Sequence, residues 1–106
     1  MNFVVLGRDR AGGEARARHR SAHLLYVERY QSRIVYAGPL LEDGRMVGSL
    51  FVFDVPDRAA LDSHLDGDPY FNPGIFESVE IWESRWMVPE REPGLLAAEA
   101  DRARLG

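Results

Sequence analysis

Arg33-Ile34-Val35-Tyr36-Ala37-Gly38-Pro39, then Asp43-Gly44, then Val47-Gly48-Ser49-Leu50-Phe51-Val52-Phe53-Asp54-Val55: the middle of this chain is two strand-like runs with a turn between them. Residues 33–37 and 47–55 are rich in β-branched and aromatic side chains, and Gly38-Pro39 and Asp43-Gly44 punctuate them. The flanks decide what such a central pair belongs to. Upstream, Glu14 to about Gln31 holds good helix formers and no Pro or Gly; downstream, Pro56-Asp57 opens a short helical stretch to about Leu65, with Ala60, Leu61 and Leu65 as its apolar side. Further out lie a first strand over residues 2–7, broken by Ala11-Gly12-Gly13, and a long fourth strand from Glu77 to Val88.

The order βαββαβ predicts an α+β, ferredoxin-like fold: an antiparallel four-stranded sheet with two helices on one face. No sequence repeat is visible between the two halves. At ~100° per residue, Ala15, His19, Ala22, His23, Tyr26, Val27 and Tyr30 gather on one stripe of the first helix, which predicts its sheet-facing side.

Two helices cover only one face of such a sheet, so its strands should alternate apolar and polar. These do not. Phe3 and Val5 oppose Val4 and Leu6; Leu50 and Val52 oppose Phe51, Phe53 and Val55; Val79, Ile81 and Met87 oppose Trp82 and Trp86. The second apolar face predicts a homodimer packed sheet to sheet about a two-fold axis, a dimeric α/β barrel-type assembly. Residues 1–88 form the expected domain. Pro89 and Pro93-Gly94 set off residues 89–106 as a tail, alanine-rich from Leu95 to Leu105 and able to form a short helix.

Composition narrows the chemistry. The chain has 106 residues, 45% apolar and 28% charged, which is ordinary for one globular domain. It has no cysteine, lysine or threonine. Thiol nucleophiles, cysteine-ligated metals and lysine Schiff bases are therefore excluded. The net charge of −4 disfavours generic nucleic-acid binding. Apolar runs are too short to span a membrane, and Met1–Arg8 reads as a strand rather than a signal peptide, so a cytoplasmic location is expected. No GxGxxG or phosphate-binding loop is present, and no cofactor is expected. Residues 8–33 hold seven arginines against Asp9, Glu14 and Glu28: a solvated helix face, or a local attraction for a small anion.

Proton transfer must then rest on three histidines, carboxylates, tyrosines, or assisted serines. His19 and His23 share a helix side, but without an intervening HExxH glutamate or an evident third ligand they make a poor metal site, and none is expected. His23 is either a core-edge histidine or a general acid/base. Asp68-Pro69 has a plain structural account as a cap followed by its favoured proline. Gly38-Pro39 and Gly48-Ser49 are turn punctuation or places of close approach to ligand or backbone.

Taken together, Arg20-Ser21-Ala22-His23, Ala37-Gly38-Pro39-Leu40, Gly48-Ser49-Leu50, and Asp68-Pro69-Tyr70 followed by Gly74 resemble the YCII-related (YciI-like) family in residues, order and spacing, over about residues 1–88. The resemblance implies a ferredoxin-like fold dimerised through its sheets, with a pocket near His23 and Asp68 as the catalytic pair. It also implies that Arg20, Gly38, Pro39, Ser49 and Tyr70 line that pocket as substrate-binding residues. If the pair meets in space, a carboxylate accepting from one imidazole nitrogen fixes the tautomer and leaves the other nitrogen to move a proton, while Arg20 holds negative charge. Two functions then stand: a cofactor-independent lyase, isomerase or hydrolytic enzyme for a small anionic metabolite, and a non-catalytic small-molecule-binding or accessory module.

Overall fold

A computed structural model describes residues 1–106. Strand β1 (Asn2–Asp9) leads to helix α1 (Glu14–Arg29); β2 (Ile34–Glu42) and β3 (Arg45–Asp54) form a hairpin; α2 (Arg58–Gly67) and a wide turn at Tyr70–Gly74 lead to β4 (Phe76–Ser84); α3 (Leu95–Leu105) follows. The sheet is antiparallel in the order β2-β3-β1-β4, the ferredoxin-like arrangement, with β1 and β3 at its centre.

The hairpin closes on Asp43-Gly44, with Glu42 facing Arg45 across the last pair. Both turn residues have positive φ, 50° and 79°, the backbone that lets a two-residue turn follow the strands' twist. Gly48 is needed for a different reason. A Cβ there would stand 2.3 Å from the carbonyl oxygen of Gly7 on β1, so the glycine lets two backbones approach rather than making room for a ligand.

Two expected strand ends shift, and the inner face of α1 differs in part. The second strand does not stop at Gly38-Pro39 but continues to Glu42, because β2 is an edge strand and Pro39 lacks a donor only where no ladder requires one. The fourth strand ends at Ser84, not Val88: Ser84 pairs with Asn2 at the start of β1, and beyond it no neighbour is left to bond. Trp86 instead turns into the tail, its Nε1 donating to the Pro89 carbonyl at 2.6 Å. On α1, Ala22 is exposed whereas Arg16 is buried against the sheet. An apolar periodicity cannot find a buried arginine.

The apolar core is Phe3, Val5, Phe51 and Phe53 from one sheet face against Leu61 and Leu65 of α2. Each such side chain contributes about 1.5–3 kcal/mol by leaving water. The opposite face carries Val4, Leu6, Leu50 and Val52, with Tyr36 and Trp82 each about 60% exposed beside them. No helix is long and apolar enough to cross a membrane.

One histidine is sealed in the interior. His64 of α2 lies between the rings of Phe53, Tyr26 and Tyr30 with none of its surface exposed. Its Nδ1 is 3.4 Å from Arg33 Nη1, which can only donate, so the ring proton sits on Nε2, and that N–H has no partner. Burial pushes its pKa down; Asp68 opposes, while Arg33 and His23 add to the lowering. The unfolded chain therefore takes up this proton at a higher pH than the folded one. Stability is complete above the ordinary histidine value of about 6.5 and falls as pH drops through it. Urea unfolding of the wild type and of His64→Phe between about pH 7 and 5 should show a shallower loss in the variant; equal slopes would contradict a buried neutral ring.

Candidate active site

Asp68 is fully buried at the end of α2, and the local chain holds it there. Its backbone N–H donates to Leu65, and its carbonyl accepts from the N–H groups of Phe71 (2.8 Å) and Asn72 (2.9 Å). Its carboxylate Oδ1 also accepts the Tyr70 N–H at 2.9 Å, the cap expected of an Asp-Pro pair. The same carboxylate meets His23 across the fold: Nδ1 lies 2.8 Å from Oδ1 and 3.1 Å from Oδ2. A carboxylate only accepts, so Nδ1 carries the proton and Nε2 is left with its lone pair. Capping and pairing with histidine are one arrangement here, not alternatives.

Tyr70 fixes the ring from the side. It stacks on His23 with centroids 3.6 Å apart and planes 7° from parallel, while Phe51 meets the imidazole edge-on at 5.9 Å. His23 Nε2 has no partner within the chain, yet it is not among the sealed unpaired atoms. It opens on a pocket of about 170 Å³ between α1, β2, β3 and the Tyr70 turn. That volume is below the ~300–1,000 Å³ of sites for larger ligands and suits a small molecule.

Of the residues expected at the site, His23, Arg20, Gly38, Pro39, Ser49 and Tyr70 all border this pocket. Asp68 stands behind His23. Arg20 lies at the rim, its Nη1 3.4 Å from Met46 Sδ. Larger hollows elsewhere, such as the one bounded by Leu6, Leu40, Val47 and Glu80, contain neither histidine nor Asp68.

The sequence reading missed Arg16. Its Nε donates to Asp9 Oδ2 at 2.6 Å, and its Nη2 donates to Asp9 Oδ1 at 2.9 Å and to Ser49 Oγ at 2.7 Å. Burial works against its charge, but the hydrogen bond and charge of Asp9, with a smaller contribution from Tyr70, outweigh it and raise its pKa further. The only available signal was the arginine run itself, which does not say which arginine turns inward.

Two solved structures are similar to this chain in fold. The 5-chloro-2-hydroxyhydroquinone dehydrochlorinase TftG from Burkholderia phenoliruptrix AC1100, solved in complex with 2,5-dihydroxybenzoquinone, is 28% identical, with a TM-score of 0.72 over 82% of this chain and 94% of that one. An antibiotic biosynthesis monooxygenase is 15% identical, with a TM-score of 0.54 over 81% of this chain and 97% of that one, which shows a common fold. No curated protein sequence matches the chain. The YCII-related domain matches residues 1–85, and the chain belongs to that family.

Proposed function

We propose that this protein is a cofactor-independent enzyme that moves a proton on a small anionic metabolite, in lyase, isomerase or hydrolytic chemistry. The observation that carries the reading is the His23–Asp68 contact at 2.8 Å, with the second imidazole nitrogen unpaired at the mouth of a small pocket. His23 is the general base and acid. Asp68 holds its tautomer and orientation and stabilises the imidazolium formed when Nε2 takes a proton. Arg20, Gly38, Pro39, Ser49 and Tyr70 hold the ligand. The likeness to a dehydrochlorinase solved with a hydroxyquinone supports a small-molecule substrate of similar size. Removal of a proton beside a leaving group gives elimination; its return at another carbon gives isomerisation.

His23→Gln tests this. On a substrate found by screening small hydroxylated aromatic and dicarbonyl compounds, the folded variant should lose about 10²- to 10⁴-fold in kcat while binding the substrate within a few-fold of wild type. Full turnover in the folded variant would refute the assignment. Ligand binding by a wild type that turns over nothing in the panel would favour a binding or accessory module.

The working unit is proposed to be a homodimer joined through the outer sheet face of Val4, Leu6, Leu50, Val52 and Trp82, which leaves the pocket on the helix-covered side open. Such an interface buries at least ~1,200 Å². Light scattering at micromolar concentration should give twice the chain mass of 12.0 kDa, and Val52→Asp should lower it; a single-chain mass for the wild type would overturn the dimer.

A further inference from the structure

Ser49 of β3 is 3% exposed, and its hydroxyl oxygen accepts a hydrogen bond from Arg16 Nη2 at 2.7 Å. Arg16 is itself buried and anchored on its Nε–Nη2 edge, where Asp9 accepts at 2.6 and 2.9 Å. The Tyr70 ring flanks it, with the centroid 5.0 Å from the guanidinium carbon. The guanidinium is thus fixed before any ligand arrives. A guanidinium only donates, so the hydrogen of the Ser49 hydroxyl turns away from it. The one hydrogen bond that this hydroxyl makes within the chain is the one it accepts. Its hydrogen is left to donate, and the hollow that Ser49 borders is the pocket on which His23 opens.

The pocket then offers one acceptor and one donor. His23 Nε2 keeps its lone pair because Asp68 holds the proton on Nδ1. The Ser49 O–H is sent outward by Arg16. Leu24, Val27, Ala37 and Phe51 make much of the remaining wall apolar. A ligand that satisfies both groups carries an acidic hydrogen and an acceptor oxygen on a small apolar body. A cation bonded to a hydroxyl oxygen polarises the O–H and strengthens the bond that it donates in turn. That bond strengthens again as the ligand oxygen gains negative charge.

We propose that Arg16 is a positioning residue that acts through Ser49, directing the Ser49 O–H onto a carbonyl oxygen of the substrate, and that the substrates are small enolisable carbonyl compounds. The inference rests on the reading of His23 and Asp68 as the proton-transfer pair, and it names the substrate class of that pair. In the step, a C–H bond beside the carbonyl breaks and its proton goes to His23 Nε2. The electron pair left behind forms the C=C bond of an enolate, and the carbonyl oxygen takes the negative charge against the Ser49 O–H. Return of the proton at another carbon completes an isomerisation; departure of a group from the neighbouring carbon completes an elimination. Arg16 touches no reacting atom. Its charge, balanced by Asp9, reaches the substrate as the direction and polarity of one hydroxyl. Arg20, at the rim, is left for the anionic group of the substrate.

A neutral probe tests it, because its affinity does not respond to the mere loss of a charge. 2-Hydroxycyclohexanone carries a carbonyl with acidic hydrogens beside it; cyclohexanol has the same ring and no carbonyl. By calorimetry near neutral pH the whole protein should bind the ketone at least about fivefold more tightly than the alcohol. Ser49→Ala should erase that preference, and isotope-edited infrared difference spectra should show the bound C=O stretch move to higher wavenumber. Arg16→Met, which leaves Ser49 in place but cannot donate to it, should shift the stretch in the same direction and reduce the preference about threefold or more. Because Arg16→Met strands a buried Asp9, the Asp9→Asn/Arg16→Met double variant repeats the measurement without an uncompensated charge. Arg18→Gln, an exposed charge on the same helix, should change nothing, and cyclohexanol should bind all variants alike. The proposal is overturned if Ser49→Ala or a folded Arg16 variant keeps both the preference and the stretch of the wild type. It is overturned equally if the Arg16 variants lose ketone and alcohol binding together, which marks a structural role, or if the wild type does not prefer the ketone. Exchange of the ketone's α-hydrogen in deuterium oxide, compared between the wild type and His23→Gln, reports on the proton-transfer reading separately and leaves the binding and infrared results standing.

Discussion

A carboxylate with no exposed surface must be fully partnered or it destabilises the fold by several kcal/mol, and Asp68 is such a group. Its partners come from two directions, the imidazole of α1 and the N–H of the turn that follows it. That double bond set draws the loop after α2 onto the middle of α1. Tyr70 is thereby laid flat on His23, one imidazole nitrogen is committed to the interior, and the other faces the pocket. The site and the local fold have a common cause, so the geometry for proton transfer exists before any ligand arrives.

The interior is divided accordingly. Under α2 the core is apolar, with Phe3, Val5, Phe51 and Phe53 packed on Leu61 and Leu65. Under α1 it is polar: Arg16 and His23 are the buried residues of that helix, each held by an aspartate from another part of the chain. Asp9 at the end of β1 and Asp68 at the end of α2 make it possible for a helix with so polar an inner face to pack on a sheet at all. The pocket lies beside these polar contacts, with Leu24, Val27 and Phe51 completing its wall.

Element order, the Asp43-Gly44 turn and the apolar face over α2 were legible because each is a local pattern: periodicity in two, a backbone requirement in the third. The ends of β2 and β4 were not. They depend on which neighbours a strand has, and no run of residues states that Pro39 lies on an edge or that β1 ends opposite Ser84. At the site, His23 and Asp68 stood out only through the ordered set of family-like residues; each alone had an adequate structural account. Arg16 and His64 were invisible for the opposite reason. A buried arginine and a buried histidine read as surface residues until the partners or rings that enclose them are known.

The central claim is that Asp68 commits His23 to one tautomer and so leaves Nε2 as the proton-accepting atom. Two-bond ¹⁵N–¹H correlation spectra of the histidine rings report this directly. The account predicts that the neutral ring of His23 is the Nδ1–H form in the wild type and that Asp68→Asn, which can accept less strongly, weakens that bias. A wild-type His23 found predominantly in the Nε2–H form would contradict it.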